Sequence, residues 1–349
     1  MMEQKLKPID VWVINDSNYM RKFITDIITS DDIHVSNYAT DGHDALQKIS
    51  VRKPDVILLD LEMPKMDGLT FIEKMAESGN LIPIIIVSNF SKDGTKIVLD
   101  ALETGAVDFV QLSEESDKDK LREILHAKIK IANNSDPTQL ILEKISSLRP
   151  KHRPAHRIGT SELLLIIGAS TGGPNTVQRL LSELPADMPC GILLVQHMPK
   201  GFTTQFASRL ERTSGFIVKE AQEGDIIKDG HILLAPGDYH MIVQQDRKIH
   251  LDSSEKRFGV RPSVNMTMVS ASEVYGASIV GVILTGMGHD GAFGMKTIKK
   301  RGGHTIVQDE KTCVIYGMPK AVVDLNAADY ILPIDKIANK IAEEIENLV

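Results

Sequence analysis

Short apolar runs alternate with amphipathic stretches along most of this chain, and the alternation occurs twice. In the first half, residues 11–14, 56–59, 84–87 and 107–110 are apolar runs of strand length. Residues 19–28 and 118–132 read as helices, as does the stretch from the turn Met66-Asp67-Gly68 through Met75. A weaker strand and helix fit 33–38 and 44–49. Buried strands alternating with helices predict a doubly wound parallel sheet covered on both faces.

The second half repeats the scheme. Strands are expected at 163–168, 192–196, 279–285, 305–307 and 330–332, and helices at 174–184, 203–212, 263–275 and 336–348. Residues 232–235 and 240–251 have strand character broken by turn residues, which predicts an antiparallel hairpin inserted at the sheet edge. Between the halves the periodicity fails at Asn133-Asn134-Ser135-Asp136-Pro137. A short amphipathic stretch, 139–148, comes next, and then the basic, proline-containing run Arg149-Pro150-Lys151-His152-Arg153-Pro154. Such composition marks a solvated connector. The expected organisation is one α/β domain at 8–132, a linker at 133–161 and a second α/β domain at 162–349. A chain of 349 residues is long enough for two cores.

Composition narrows the function classes. A net charge of −7 and an aromatic content of 5% argue against nucleic-acid binding. The apolar runs are too short to span a bilayer, and the first residues lack the apolar core of a signal peptide. A cytoplasmic protein without membrane insertion is expected. The two cysteines, Cys190 and Cys313, sit in apolar runs and read as buried small hydrophobes.

Chemistry concentrates where strands end. Asp16 and Asp60 follow two strands of the first domain, where open parallel sheets bind ligands. Two carboxylates there make a Mg²⁺ site and leave one able to accept a phosphoryl group. Ser88 follows a third strand and is placed to hydrogen-bond that group. Asp16 also suits a helix N-cap. With Met20-Arg21, the run LLDLEMPKMDG around Asp60 and VSNFS around Ser88, these residues resemble a receiver domain of flavodoxin-like fold. The resemblance implies phosphorylation at Asp60, Mg²⁺ held by Asp16 and Asp60, and a chemotaxis histidine kinase as phosphodonor. Two departures stand out. Asn15 occupies a position usually acidic, and Leu112 the position of the usual lysine, while Lys118 and Lys120 are off register. Loss of that cation removes a charge-assisted bond worth about 1.5–3 kcal/mol. Phosphorylation at Asp60 is therefore expected to be weak, or no longer the switch.

In the second domain, the strand 163–168 runs into Ala169-Ser170-Thr171-Gly172-Gly173-Pro174. A small-residue turn before a helix presents a serine hydroxyl to oriented N–H groups. The same turn also suits a phosphate cradle. His197 ends a second strand and Asp290 follows a third, so Ser, His and Asp occur at three strand ends.

GASTGGP, QHMP, RPSV at 261–264, TGMGHDGA and YGMPKA at 316–321 together resemble the CheB-type chemotaxis methylesterase family, over nearly all of 162–349. The resemblance implies Ser170 as nucleophile, His197 as base and then acid, Asp290 as the orienting carboxylate and the Met287 N–H in the oxyanion hole. Thr171 borders the pocket, and His289 is expected at the surface. Asn265 stands where the family commonly has Asp. The implied substrate is a glutamate γ-methyl ester on chemoreceptor helices, with glutamine deamidation by the same chemistry. Catalysis would need no cofactor; Mg²⁺ belongs to the receiver. Two rivals are a receptor-associated binding module with a vestigial hydrolase, and a nucleotide-binding protein that uses GASTGG as a cradle.

Overall fold

The computed structural model describes residues 7–89, 94–112, 117–135 and 159–349. The chain divides into two compact units, Met1–Leu142 and Glu143–Val349. Most of the predicted connector, residues 136–158 with its basic run, lies outside the described residues.

The first unit alternates β1 (Ile9–Ile14), α1 (Asn18–Ile28), β2 (Ile33–Ala39), α2 (Gly42–Val51) and β3 (Val56–Leu59). It continues with α3 (Gly68–Glu77), β4 (Ile84–Ser88), α4 (Gly94–Thr104), β5 (Asp108–Gln111) and α5 (Lys118–Asn133). The sheet order is β2-β1-β3-β4-β5, and every pairing is parallel. The apolar runs are strands buried on both faces, since Val11 to Ile14 and Val56 to Leu59 are at most 1% exposed. The order reverses between β1 and β3, so Asp16 and Asp60 stand at the point where loops part to leave a crevice.

The MPKMDG turn has a steric reason. A Cβ on Gly68 would lie 2.4 Å from the Asp60 carbonyl oxygen and 2.8 Å from Leu61 Cα. Asp67 caps α3 by accepting a hydrogen bond from Thr70 N at 2.8 Å. The loop after β3 is thereby pressed against the first turn of α3. For α1 the cap is Ser17, whose Oγ accepts from Met20 N, and not Asp16.

The second unit opens with β6 (Leu164–Ala169), α6 (Gly173–Glu183), β7 (Gly191–Gln196), α7 (Phe202–Thr213), β8 (Ile217–Glu220) and β9 (His231–Leu234). An antiparallel ribbon of β10 (His240–Val243) and β11 (Ile249–Asp252) comes next. Then follow α8 (Val264–Tyr275), β12 (Ile279–Ile283), α9 (Ala292–Lys300), β13 (His304–Gln308), α10 (Met318–Asp324), β14 (Tyr330–Leu332) and α11 (Ile334–Leu348). The seven-stranded sheet runs β14-β13-β12-β6-β7-β9-β8, all parallel.

The predicted hairpin is present, with one difference. It lies wholly within 240–252 as a sheet of its own, while residues 232–234 pair in parallel with β7 and β8 in the main sheet. Ile232 and Leu234 are fully buried, as a central parallel strand requires. Cys190 and Cys313 are buried and unbridged, and burial pushes the Cys190 thiol up. Among the described residues no helix is long and apolar enough to cross a membrane.

Trp12 is the chain's one tryptophan and is fully buried in β1, so its fluorescence reports on the first unit. Gly68→Ala should destabilise that unit by about 1–3 kcal/mol, because the added methyl meets backbone rather than a flexible side chain. Urea unfolding followed through Trp12 checks this; an unshifted midpoint would refute the steric account.

Candidate active site

In the seven-stranded sheet the order reverses between β6 and β12. The loops leaving these two strands diverge there and open a crevice at their carboxyl ends. Ser170 follows β6 directly. Its N–H donates to Thr285 O at 3.1 Å, and its carbonyl accepts from Gly173 N at 2.8 Å, closing a tight turn into α6. Gly172 caps the helix in the left-handed region at φ 75°, and a Cβ there would lie 2.6 Å from Val314. Only glycine suits this position. The turn thus holds Ser170 at the amino end of α6.

His197 stands one residue past β7. The register pairs Ala169 with Gln196, so Ser170 and His197 leave neighbouring strands side by side. His197 N donates to Ala169 O at 3.1 Å. The imidazole Nε2 meets Asp290 Oδ2 at 2.9 Å, which leaves Nδ1 as the ring nitrogen the carboxylate does not engage.

Asp290 is 3% exposed and heavily hydrogen-bonded. Oδ1 accepts from Ser263 Oγ at 2.9 Å and from Asn265 N and Gly291 N, both at 3.0 Å. Oδ2 accepts from Val264 N at 2.7 Å as well as from the imidazole. Ser263 is the N-cap residue of α8, yet its hydroxyl makes no cap bond. The Asp290 carboxylate caps that helix instead, where the helix dipole favours a negative charge. Burial alone would raise its pKa, but the bonds from His197, Asn265 and Val264 win, and the carboxyl sits below its ordinary value of 3.8.

Gly286 packs against the serine, since a Cβ there would lie 2.9 Å from Ser170 Cβ. Met287 follows, 40% exposed, and among the described residues its N–H meets no acceptor. His289 is exposed and set edge-on against Phe258, with ring centroids 4.5 Å apart, so it stands apart from the His197–Asp290 pair. Thr171 is buried, and its carbonyl accepts from Thr285 Oγ1 at 3.1 Å. Asn265 Oδ1 accepts from Gly294 N at 2.7 Å, a role a carboxylate oxygen would also fill. Ser263 and the α8 amides were not assigned from sequence. The only signal for them was RPSV, a serine ahead of a helix.

In the first unit, Asn15 and Asp60 meet at the β1/β3 crevice. Asn15 Nδ2 donates to Asp60 Oδ2 at 2.7 Å, and Asn15 Oδ1 accepts from Ser17 N at 2.8 Å. Burial raises the Asp60 carboxyl above its usual range; bonds from Ser88 and the Glu62 and Leu61 amides oppose it, and the Asp16 charge adds to it. Leu112 is 6% exposed and packs in the core with Val87 and Leu121. Lys118 stacks over the Phe23 ring at 5.8 Å, and Lys120 stands 4.0 Å from Asp117. Arg21 donates to the Asn15 and Asp16 carbonyls at 2.7 and 3.0 Å.

A carboxylate crevice on one doubly wound parallel sheet and a Ser, His and Asp crevice on another define a response regulator whose output domain is a hydrolase built on a parallel sheet. Residues 11–126 match a family model described as response regulator receiver domain, and residues 165–341 match one described as CheB methylesterase. A protein-glutamate methylesterase/protein-glutamine glutaminase of Symbiobacterium thermophilum is 40% identical over 99% of each chain. One of Pyrococcus abyssi with the same name is 41% identical over 97% of this chain and 94% of its own. The solved CheB methylesterase catalytic domain of Thermotoga maritima covers 52% of this chain and 97% of its own, at 44% identity and a TM-score of 0.50. This chain belongs to the CheB methylesterase family, in its receiver-linked form.

Asp290→Ala leaves one hydroxyl, three amides and an imidazole without their acceptor, so the second unit should lose about 1–3 kcal/mol or more. Because the native carboxyl lies below 3.8, its charge stabilises fully above that value and is lost only as pH falls through the lower native one. Urea titrations should therefore show the same deficit from mildly acidic to mildly alkaline solution; a deficit that vanishes at neutral pH would refute the account.

Proposed function

We propose that this chain hydrolyses glutamate γ-methyl esters on chemoreceptors, in the cytoplasm, with Ser170, His197 and Asp290 as its catalytic set. One observation carries the reading: a buried carboxylate fixes the imidazole at the strand end beside Ser170. Ser170 Oγ attacks the ester carbonyl while His197 Nδ1 takes its proton, and Asp290 stabilises the imidazolium. The Met287 N–H, together with the amino end of α6, faces the oxyanion of the tetrahedral intermediate. His197 returns the proton to the departing methoxide, methanol leaves, and a glutamyl ester remains on Ser170. Water, deprotonated by His197, releases free glutamate and restores the serine. With a glutamine side chain the leaving group is ammonia, which agrees with the double name of the relatives. Proton transfer of this kind contributes about 10²–10⁴-fold, and one oxyanion donor about 2.7–4 kcal/mol. Each step uses groups of the chain and water. A vestigial hydrolase finds no support in relatives named for the activity.

The receiver would be the regulatory part, with a chemotaxis histidine kinase as phosphodonor. Asp16 and Asp60 are two carboxylates at one crevice, and Asp16 is exposed. That donor set fits a Mg²⁺ that keeps most of its water. The ion would offset the charge that a phosphoryl group brings to Asp60. Asn15 and Leu112 leave the pocket one acid and one cation short of the usual receiver pattern. Asp60 is therefore a poor phosphoacceptor.

Methanol release from methylated receptor fragments tests the catalytic set. Ser170→Ala should lower it by at least about 10³-fold; equal release by variant and wild type would remove Ser170 as nucleophile. Incubation with a small phosphodonor and Mg²⁺ should leave Asp60 largely unmodified, and a stable, stoichiometric phosphoprotein would overturn that expectation.

A further inference from the structure

Gln196, the last residue of β7, lies between Ser170 and His197 and takes no part in the chemistry above. The residue is 1% exposed. Nε2 donates to Ser170 O at 2.8 Å and to His197 O at 3.4 Å. One amide group thus bridges the main chains of the two residues whose side chains must exchange a proton. The reverse amide orientation would set oxygen against oxygen at 2.8 Å, so the carbonyls themselves fix the donor assignment. Oε1, at the other end, is buried and has no hydrogen-bond partner among the described residues. A buried amide oxygen without a donor is costly, and a methionine would fill the same space without that cost. The first turn of α6 is cut to fit it: a Cβ on Gly173 would lie 2.2 Å from Oε1.

We infer that Gln196 is a positioning residue that locks the Ser170 turn to the His197 strand end and so sets the separation of nucleophile and base. The Ser170 carbonyl accepts two bonds, from Gly173 N and from Gln196 Nε2, both at 2.8 Å. Held on two sides, the peptide after Ser170 cannot rotate, and the direction of the Ser170 Cα–Cβ bond is fixed with it. The His197 main chain is held by its own N–H to Ala169 O and, through its carbonyl, by Gln196. Without the bridge the two strand ends remain in register but are no longer tied at the residues that react. A misplacement of about 1 Å between reacting groups costs on the order of 10²-fold in rate. The loss should fall on kcat, because Gln196 is buried behind the turn and meets no substrate.

This inference rests on the Ser170 hydrolase reading, and the test separates the two. The full-length chain is compared as wild type, Gln196→Met and Gln196→Glu, by kcat and KM for a methyl ester, by the rate of Ser170 labelling with a fluorophosphonate, and by thermal unfolding. Gln196→Met should lower kcat and labelling together by about 10–100-fold with KM within about twofold. Gln196→Glu can donate, through its single O–H, to the Ser170 carbonyl only when protonated. Its activity relative to wild type should therefore rise as pH is lowered, which a loss of packing alone would not produce. A folded Gln196→Met that reacts like wild type, or a Gln196→Glu ratio flat with pH, overturns the inference and leaves the hydrolase reading intact. If Gln196→Met does not fold, the Gln196→Glu profile decides. A wild type inert to both ester and fluorophosphonate overturns both.

Discussion

A carboxylate buried as deeply as Asp290 must have donors for its lone pairs, and meeting that need organises the catalytic unit. Five donors reach it: the His197 imidazole, the Ser263 hydroxyl and the amides of Val264, Asn265 and Gly291. These tie the loop after β12 to the start of α8 and to the end of β7. The same bonds lower its pKa, so the charge that orients the imidazole is also the charge that caps a helix. Structure and chemistry depend on one ionised group.

The order reversal of the parallel sheet does the rest. It opens a crevice between β6 and β12, and it places Ser170 on one lip and Asp290 beyond the other. The first unit obeys the same rule on a smaller scale, with Asp16 and Asp60 flanking its own reversal. Similar topology does not bring similar completeness. Ser170, His197 and Asp290 gather at one crevice, whereas the other has an amide, Asn15, beside Asp60, and Leu112 packs its alkyl group into the core.

Much of this was legible in the sequence for a physical reason. Parallel strands buried on both faces are unbroken apolar runs, so β1, β3, β4, β6, β7 and β12 could be read directly. What escaped lacked that mark. β8 is a half-exposed edge strand of four residues, and α9 carries Gly294 within its short span. β9 was grouped with a hairpin because both follow turn residues; only pairing shows that it belongs to the main sheet. Ser170, His197 and Asp290 could be picked out as candidates because strand ends are where such sheets bind ligands. Ser263 reads only as a serine ahead of a helix, because its side-chain bond reaches a residue 27 positions away, and Gln196 has no mark at all, because bonds to main-chain carbonyls leave no trace in residue type.

The His197–Asp290 bond spans 93 residues of chain. Closing so long a loop is entropically costly and waits on the strands between. During synthesis, then, Ser170 and His197 emerge well before the carboxylate that completes them. A chain that stops short of Asp290 displays Ser170 beside an imidazole that no carboxylate fixes. The His197–Asp290 pair forms only once β12 has joined the sheet and carried its loop into place.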